Sequence, residues 1–460
     1  MSIPEALPAP GWQREALHLA RSGGTLAFNQ LFQLAVPFMT TAMTGRLGVE
    51  TLAAGSIVGS IGLLLLISAL GVMQGLIPPL SSSLGAGDHP AAARTVRGGL
   101  AVAMGLAATA IMASVPWGLA TAGFDATFVA TAQRYIDGLL PAYLPSIGLI
   151  AVRFFLIGAN DLRWLNAIII VSTAFNAALN LWLAGGRFGL DGMTAIGITV
   201  SLTAWLTLGL LMLAIARSKR MPRGMQDWRA GFSLRDALRL GIPVGAVFFT
   251  EALLFTGSNV LMGYVGKVEL ATHGIVLLWL NIVLMIPVGV SQAAMARVAS
   301  LHGQGDLEAM RQAALVSLVA GAAISTVIGV LLAAGSDSVV KLTLWSRSAA
   351  GEDVVPVARD FFRFCAVTQL LSGLIIVMAS ILRGLRDANA VLWLVMLGYW
   401  GVGLGGAVLF AFGFGLGGRG IWMGITLAFV FAVVLLALRF QHALHRAKDR
   451  GLNAAALPRR

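Results

Sequence analysis

The chain alternates long apolar windows with short polar or glycine- and proline-bearing breaks, and this pattern predicts helices that cross a membrane. A membrane span needs roughly 20 predominantly apolar residues. Twelve such windows can be placed along the chain, the first at 25–47. The longest polar interruption, 216–239, divides them into two sets of six. The pattern therefore predicts an all-α polytopic membrane protein.

The breaks also predict the organisation of the chain. We expect a cytoplasmic N-terminal segment, an N-terminal lobe of spans 1–6, a basic linker, a C-terminal lobe of spans 7–12 and a cytoplasmic tail. Their predicted ranges are 1–24, 25–216, 217–239, 240–438 and 439–460. The two six-helix lobes are expected to surround a central cleft.

Composition supports the membrane assignment. Of the 460 residues, 58% are hydrophobic and 11% are charged, with a mean hydropathy of +0.85. Soluble domains average about 25% charged residues. The single cysteine, Cys365, excludes an intrachain disulfide and multi-cysteine metal sites. We read no cleaved signal peptide at the N-terminus.

The net charge of +12 is distributed as a topology signal. The two termini and alternate connections between spans hold most of the 32 lysines and arginines. A basic excess marks the cytoplasmic side of a membrane protein, so both termini are expected inside the cell. This distribution argues against a nucleic-acid partner, while binding of anionic lipid stays open.

The two halves of the chain repeat one another. The segment GVMQGLIPPLSSSLGAGD (71–88) aligns with GVSQAAMARVASLHGQGD (289–306), and GAND (158–161) resembles GLRD (384–387). Six spans per half give both copies the same membrane orientation, so an axis along the membrane normal should relate them. Two bundles around one cleft favour a transporter that works by alternating access.

Several motifs resemble the multidrug and toxic compound extrusion (MATE) family, in its NorM-like branch. They are TAMTGRLGVETLAAGS, the two GxGD turns, MASILRGLRD and FGLGGRGIWMGI. The resemblance implies a twelve-helix, two-lobe exporter of organic cations such as dyes and fluoroquinolones, driven by proton or sodium antiport. It implies importance for Glu251, which follows Pro243 at the family spacing. Two positions where the family often has Asp are Thr40 and Ser372 here, which weakens a sodium site.

Glu251 is the main candidate site residue. It interrupts the apolar run VFFTEALLFTGSN, and a carboxylate in mid-membrane is costly and usually functional. Its repeat equivalent is the neutral Gln33. Desolvation disfavours the charged carboxylate, so we expect Glu251 to bind a proton near physiological pH, in competition with a cationic drug. That competition would produce antiport. The alternative is a static hydrogen bond between helices.

The weaker candidates are polar residues within the spans. Asn176 and Asn180 lie one helical turn apart, so they could line an N-lobe cavity or bond neighbouring helices. His273 is interpreted as structural rather than as a proton relay. The full set of weaker candidates is Gln33, Thr40, Asn176, Asn180, Asn281, Gln369, Ser372 and Tyr399. No metal site or cofactor is predicted beyond the coupling ion, a proton or less favourably sodium. A monomer is the default.

Three other functions have less support in the sequence. A lipid-linked saccharide flippase should present cationic side chains to pyrophosphate, whereas the sequence suggests Glu251 as the only mid-span charge. A membrane enzyme lacks support, because no HExxH, GxSxG or Walker motif is present. A purely structural role has no positive feature. The sequence therefore predicts a secondary multidrug exporter in the bacterial inner membrane.

Overall fold

The computed structural model describes residues 11–47, 49–95, 99–183, 191–217, 234–344 and 351–455. Its helices are α1 (Gly11–Gln33), α2 (Ala35–Arg46), α3 (Val49–Gln74), α4 (Ile77–Gly85), α5 (His89–Thr95), α6 (Gly99–Thr121), α7 (Ala126–Gly158), α8 (Leu165–Leu183), α9 (Gly192–Ala216), α10 (Leu234–Val265), α11 (Lys267–Gln304), α12 (Leu307–Ala334), α13 (Ser336–Leu344), α14 (Gly351–Gly384), α15 (Ala388–Met396), α16 (Gly405–Val408) and α17 (Gly417–Ala455). Two π-helical segments, Leu397–Leu404 and Leu409–Gly413, join α15 and α16 into one continuous helix. Residues 218–233 of the predicted linker lie outside the described residues.

Eleven helical segments in the described part of the chain are long and apolar enough to cross a membrane. The predicted first span, 25–47, is instead divided between α1 and α2. The break at Leu34 has a physical cause, because Pro37 has no N–H to donate to the Gln33 carbonyl. The Leu34 amide instead bonds to Leu31 in a tighter turn, at 3.1 Å. The first span is therefore a broken helix.

The chain divides into two compact units. Unit 1 comprises Met1–Ala27 and Thr250–Arg460, and unit 2 comprises Phe28–Phe249. Both divisions fall inside a helix, the first within α1 and the second within α10. Each of these two helices therefore contributes to both units.

Unit 2 is built around α7, which packs against α3, α6 and α9. Glycine permits the closest of these contacts. A Cβ added at Gly138 would lie 2.5 Å from the Thr194 carbonyl oxygen, and one at Gly197 would lie 2.7 Å from that of Tyr135. The absence of side chains at both positions lets the backbones of α7 and α9 approach each other, as is common for membrane helices.

Unit 1 is built around α14, which packs against α11, α12 and α17. The continuous helix that contains both π-helical segments lies along α17. Close approach again depends on glycine, since a Cβ at Gly424 would lie 2.3 Å from the Ala407 nitrogen and one at Gly420 2.5 Å from that of Ala411.

The GxGD turns of the two repeats have the same local structure. Gly87 and Gly305 adopt left-handed φ angles of 73° and 75°, which end the preceding helix without strain for glycine. Asp88 and Asp306 then accept hydrogen bonds from backbone amides three residues later, at 2.9 and 3.0 Å. Both turns therefore end the helix that precedes them, α4 and α11 respectively.

The first parts of α1 and α10 pack through repeat-equivalent glycines. In unit 1, a Cβ at Gly289 of α11 would lie 2.3 Å from the Ala27 nitrogen of α1. In unit 2, a Cβ at Gly71 of α3 would lie 2.3 Å from the Gly245 Cα of α10. The first contact is reinforced by an ion pair, in which the Arg297 Nε donates to Glu15 at 2.9 Å.

Candidate functional site

Glu251 lies on α10 in unit 1, near two side chains from other helices. It interacts electrostatically with Arg383 of α14, and Tyr399 interacts with both of them. Arg383 and Tyr399 are buried, at 6% and 2% exposure, whereas part of Glu251 remains accessible. A partly accessible carboxyl group that lies beside buried polar side chains can exchange a proton or bind a ligand.

The helices around this site hold Tyr399 near Glu251. Tyr399 lies in the π-helical segment Leu397–Leu404, and π-helical turns are often found at functional sites. This segment packs on α10, because a Cβ at Gly257 would lie 2.9 Å from a Leu404 methyl group. The Tyr399 ring stacks on Phe429 of α17, with ring centroids 5.1 Å apart. Tyr399, proposed from the sequence, is therefore brought to Glu251.

Arg383 was missed by the sequence interpretation, and so was Arg153 in unit 2. Both lie in helices apolar enough to span a membrane, and both are buried. The charge distribution assigns them to cytoplasmic connections, because each lies within a few residues of its helix end. The expectation that Glu251 is the only charge buried within a span is therefore wrong.

Arg153 forms a polar cluster with Gln33 and Gln30. Its Nη1 donates to Gln33 Oε1 at 2.8 Å, and its Nη2 donates to Gln30 Oε1. Gln33 Nε2 in turn donates to Asn29 Oδ1 at 2.7 Å. Arg153, Gln30 and Asn29 are buried. We call these four residues the Arg153 cluster.

The repeat gives this cluster a relation to Glu251. Gln33 is the repeat equivalent of Glu251, and α7 and α14 are the fourth predicted spans of their halves. In unit 2, Gln33 of the first predicted span therefore interacts with Arg153 of the fourth. In unit 1, Glu251 interacts in the same way with Arg383. The pairing is neutral amide to guanidinium in unit 2, and carboxylate to guanidinium in unit 1.

Of the two asparagines of α8, Asn176 bonds a neighbouring helix and Asn180 bonds Asn176 within α8. Asn176 Nδ2 donates to Thr203 Oγ1 of α9 at 3.0 Å, and Asn180 Nδ2 donates to Asn176 Oδ1 at 3.0 Å. Both asparagines are buried, at 0% and 3% exposure. The structure thus shows an interhelical hydrogen bond for Asn176, and the cavity-lining role of both residues stays a prediction. Thr40 is half-buried and donates to the Val36 carbonyl of its own helix at 3.0 Å.

The remaining candidates lie in unit 1. Asn281 is exposed and donates to the Leu277 carbonyl at 2.8 Å, and Ser372 is buried and donates to that of Thr368 at 2.7 Å. Gln369 is completely buried, and both polar atoms of its amide lack a hydrogen-bond partner among the described residues. Burying an amide without hydrogen bonds is energetically unfavourable. Gln369 is therefore a candidate for binding water or a ligand.

Many apolar helices, an internal repeat and a partly accessible carboxylate within a membrane helix define a polytopic membrane transporter. The family model MatE matches residues 26–182 and 243–409. The chain therefore belongs to the MatE family, as its motifs suggested, and the predicted class of twelve membrane helices in two lobes is confirmed.

Relatives and solved structures agree with this assignment. The chain is 30% identical to the probable multidrug resistance protein NorM of Rhizobium meliloti, covering 91% of each protein. It is 31% identical to the probable multidrug resistance protein NorM of Agrobacterium fabrum, covering 89% of this chain and 90% of the relative. The crystal structure of the eukaryotic MATE transporter AtDTX14 superposes with a TM-score of 0.80 at 22% identity, covering 96% of this chain and all of that one. The chain is a multidrug efflux transporter of this family.

Proposed function

We propose that this protein expels lipophilic organic cations from the bacterial cytoplasm across the inner membrane in exchange for protons, with Glu251 as the proton carrier. Support for the substrate class comes from the NorM relatives named as multidrug resistance proteins. Support for the carrier comes from the position of Glu251, partly accessible within a membrane helix and beside the buried Arg383 and Tyr399. The protein is proposed to act as a monomer with both termini inside the cell.

The observation that carries this proposal is the Glu251–Arg383 interaction. While Glu251 is ionised, the two charges offset one another inside the apolar unit. A proton on Glu251 removes that compensation and leaves the guanidinium to find other partners, including Tyr399. Protonation thus changes the internal interactions of unit 1, and a change of this kind can bias two conformations of a transporter.

Proton and drug are proposed to compete for the ionised state of Glu251. A proton from outside neutralises the carboxylate and releases the cationic drug, and loss of that proton inside restores affinity. Alternating access converts this competition into antiport. The direction of transport then depends on how differently each ligand binds the two conformations.

Sodium is the less favoured coupling ion. A hard cation prefers several oxygen ligands. The positions where the family often supplies further carboxylates are Thr40 and Ser372 here, and each hydroxyl donates to a carbonyl of its own helix.

The test is dye efflux from proteoliposomes that contain the purified protein, driven separately by a pH gradient and by a sodium gradient. We expect the pH gradient to drive efflux, and Glu251→Gln to reduce this rate by about 100-fold, within the range lost with a general acid or base. Asp137→Asn is the matched control, because Asp137 is an exposed acid on α7 that accepts a bond from Gln133. Undiminished efflux by Glu251→Gln, or drive by sodium alone at fixed pH, would overturn the proposal.

The Arg153 cluster favours one second candidate, a flippase for lipid-linked saccharides. A buried guanidinium is the kind of group that binds pyrophosphate. Accelerated flipping of a fluorescent lipid pyrophosphate by the reconstituted protein, abolished in Arg153→Gln, would support that function. Dye efflux without such flipping would exclude it.

A further inference from the structure

A second buried titratable group lies in unit 1, on the same side of α10 as Glu251. His273 of α11 is completely buried, and its Nε2 lies 3.0 Å from Ser258 Oγ of α10. Ser258 also lies 2.8 Å from the Phe255 carbonyl, to which its hydroxyl donates. When the hydroxyl donates there, its oxygen accepts from the histidine Nε2–H. The other ring nitrogen, Nδ1, is buried without a hydrogen-bond partner among the described residues.

The neighbouring tryptophan ring also has a buried nitrogen without a hydrogen-bond partner among the described residues. Trp422 of α17 meets His273 edge-on, with ring centroids 5.3 Å apart, and its Nε1 is also buried without a described partner. A histidine kept only for packing or for one hydrogen bond would be expected to have its second nitrogen satisfied, since a buried polar atom without a hydrogen bond is costly. Two unmet polar atoms on adjacent rings are instead suited to binding a water molecule.

This pair of rings lies near the end of unit 1 that the charge distribution assigns to the outer side. Phe361 of α14 lies 6.1 Å from Trp422 between ring centroids, and the preceding residue, Asp360, is paired with Arg419 of α17. Asp360 is partly exposed, so this ion pair is in contact with the medium. His273 therefore lies just beneath an acid–base pair at the protein surface.

On the inner side, an aromatic layer separates His273 from Glu251. Ser258 follows Glu251 by two helical turns on the same face of α10, a rise of about 10 Å. Phe255 lies between them and meets Phe429 edge-on, with ring centroids 6.5 Å apart, and Phe429 stacks on Tyr399. The two polar sites thus occupy two depths of one unit, with Phe255 and Phe429 between them.

We propose that His273, held by Ser258, is a proton relay between the outer surface and Glu251, and that the Phe255–Phe429 contact is the barrier that the proton crosses when it opens. The inference rests on the proposed proton coupling and adds its outer route. A proton arrives at Nδ1, and the Nε2 proton passes to Ser258 Oγ as the serine hydroxyl turns inward and releases its own proton. A flip of the imidazole ring then restores the first tautomer, so no group is consumed. Imidazole suits this task because either ring nitrogen can hold the proton.

The other charged or titratable groups around His273 are few in the described residues. The elements that pack about it contribute Glu251 on α10, Asp360 and the buried Cys365 on α14, and Arg419 on α17. Its own helix adds Lys267 and Glu269 at the first turn. Asp360 pairs with Arg363 of its own helix as well as with Arg419, so the surface group next to His273 carries more positive than negative charge.

The test compares His273→Gln with the wild-type protein in proteoliposomes. Glutamine keeps a partner for Ser258 but cannot carry a proton. We expect proton-coupled dye efflux to fall by about tenfold or more, with a larger slowing in D₂O than for the wild type. Exchange of dye for dye at equal pH moves no net proton, so it should stay within about twofold. His442→Gln, at an exposed position of α17, is the matched control.

A second variant covers the case in which His273→Gln does not fold. Ser258→Ala leaves the imidazole in place and should also slow the coupled rate while preserving dye exchange. Wild-type coupled rates in either folded variant would overturn the relay, and so would a parallel loss of coupled efflux, exchange and thermal stability. A wild-type protein without proton-driven efflux would instead overturn the proposed function, and the relay with it.

Discussion

Replacing Gly289 by alanine tests how tightly α1 is packed against α11 in unit 1. The added Cβ would lie 2.3 Å from the Ala27 nitrogen, 2.4 Å from its Cα and 2.6 Å from the Leu26 carbonyl carbon. All three are backbone atoms, so no side-chain rotation relieves the overlap and the helices must separate by about 1 Å. Overpacking of this kind costs about 1–3 kcal/mol.

The matched control is Gly274→Ala, at a position of the same helix where a Cβ meets nothing within 4 Å. Both changes gain the same helix propensity of about 1 kcal/mol, so their difference isolates the packing cost. A domain of 150–250 residues loses about 2–4 °C of Tm per kcal/mol. We therefore expect the Tm of Gly289→Ala in detergent to lie about 2–12 °C below that of Gly274→Ala. Equal Tm values for the two variants would refute the proposed close contact.

Two further predictions concern stability. Arg153→Lys should destabilise the protein by about 1–3 kcal/mol, because one ammonium group cannot reproduce the two-pronged contact with Gln30 and Gln33. A Tm equal to that of the control Arg217→Lys, at an exposed arginine after the last turn of α9, would contradict this. The second concerns His18, whose pKa is lowered by burial and then by the charge of Arg297, against an opposing effect of Glu15. The unfolded chain therefore binds the proton more readily, so this contribution to stability is complete above about pH 6.5 and is lost as the pH falls below it. His18→Gln should flatten the decline of Tm between about pH 7.5 and 5.5, and an unchanged decline would count against the assignment.

Apolar periodicity and the internal repeat predicted the class of fold, because a helix in lipid must satisfy its own backbone and leaves a long apolar run in the sequence. Glu251 was recognisable for the same reason, as an exception within such a run. Arg153 and Arg383 were not, since an arginine near a helix end has the same sequence signature whether it faces water or turns into the bundle. The break at Leu34 was hidden as well, although Pro37 carried its signal.

Side-chain partners depend on which helices touch, and one sequence gives no direct measure of that. Tyr399 was proposed only as one of several polar residues within the predicted spans of the C-terminal lobe, and the π-helical segment that carries it has no recognisable sequence pattern. His273 shows the same limit, because its buried, half-bonded imidazole is visible only once Ser258 and Trp422 are placed beside it.

The sharing of α1 and α10 between the two units has a consequence for synthesis. Unit 2 needs residues up to Phe249, and unit 1 needs Met1–Ala27 as well as everything after Phe249. When the sixth predicted span has just been synthesised, unit 2 is therefore still incomplete. It lacks the part of α10 that packs against Gly71. The first part of α1 likewise cannot pack until α11, which contains Gly289, has been synthesised. The first repeat cannot mature ahead of the second, so a chain cut in the linker should yield fragments that are stable only when made together.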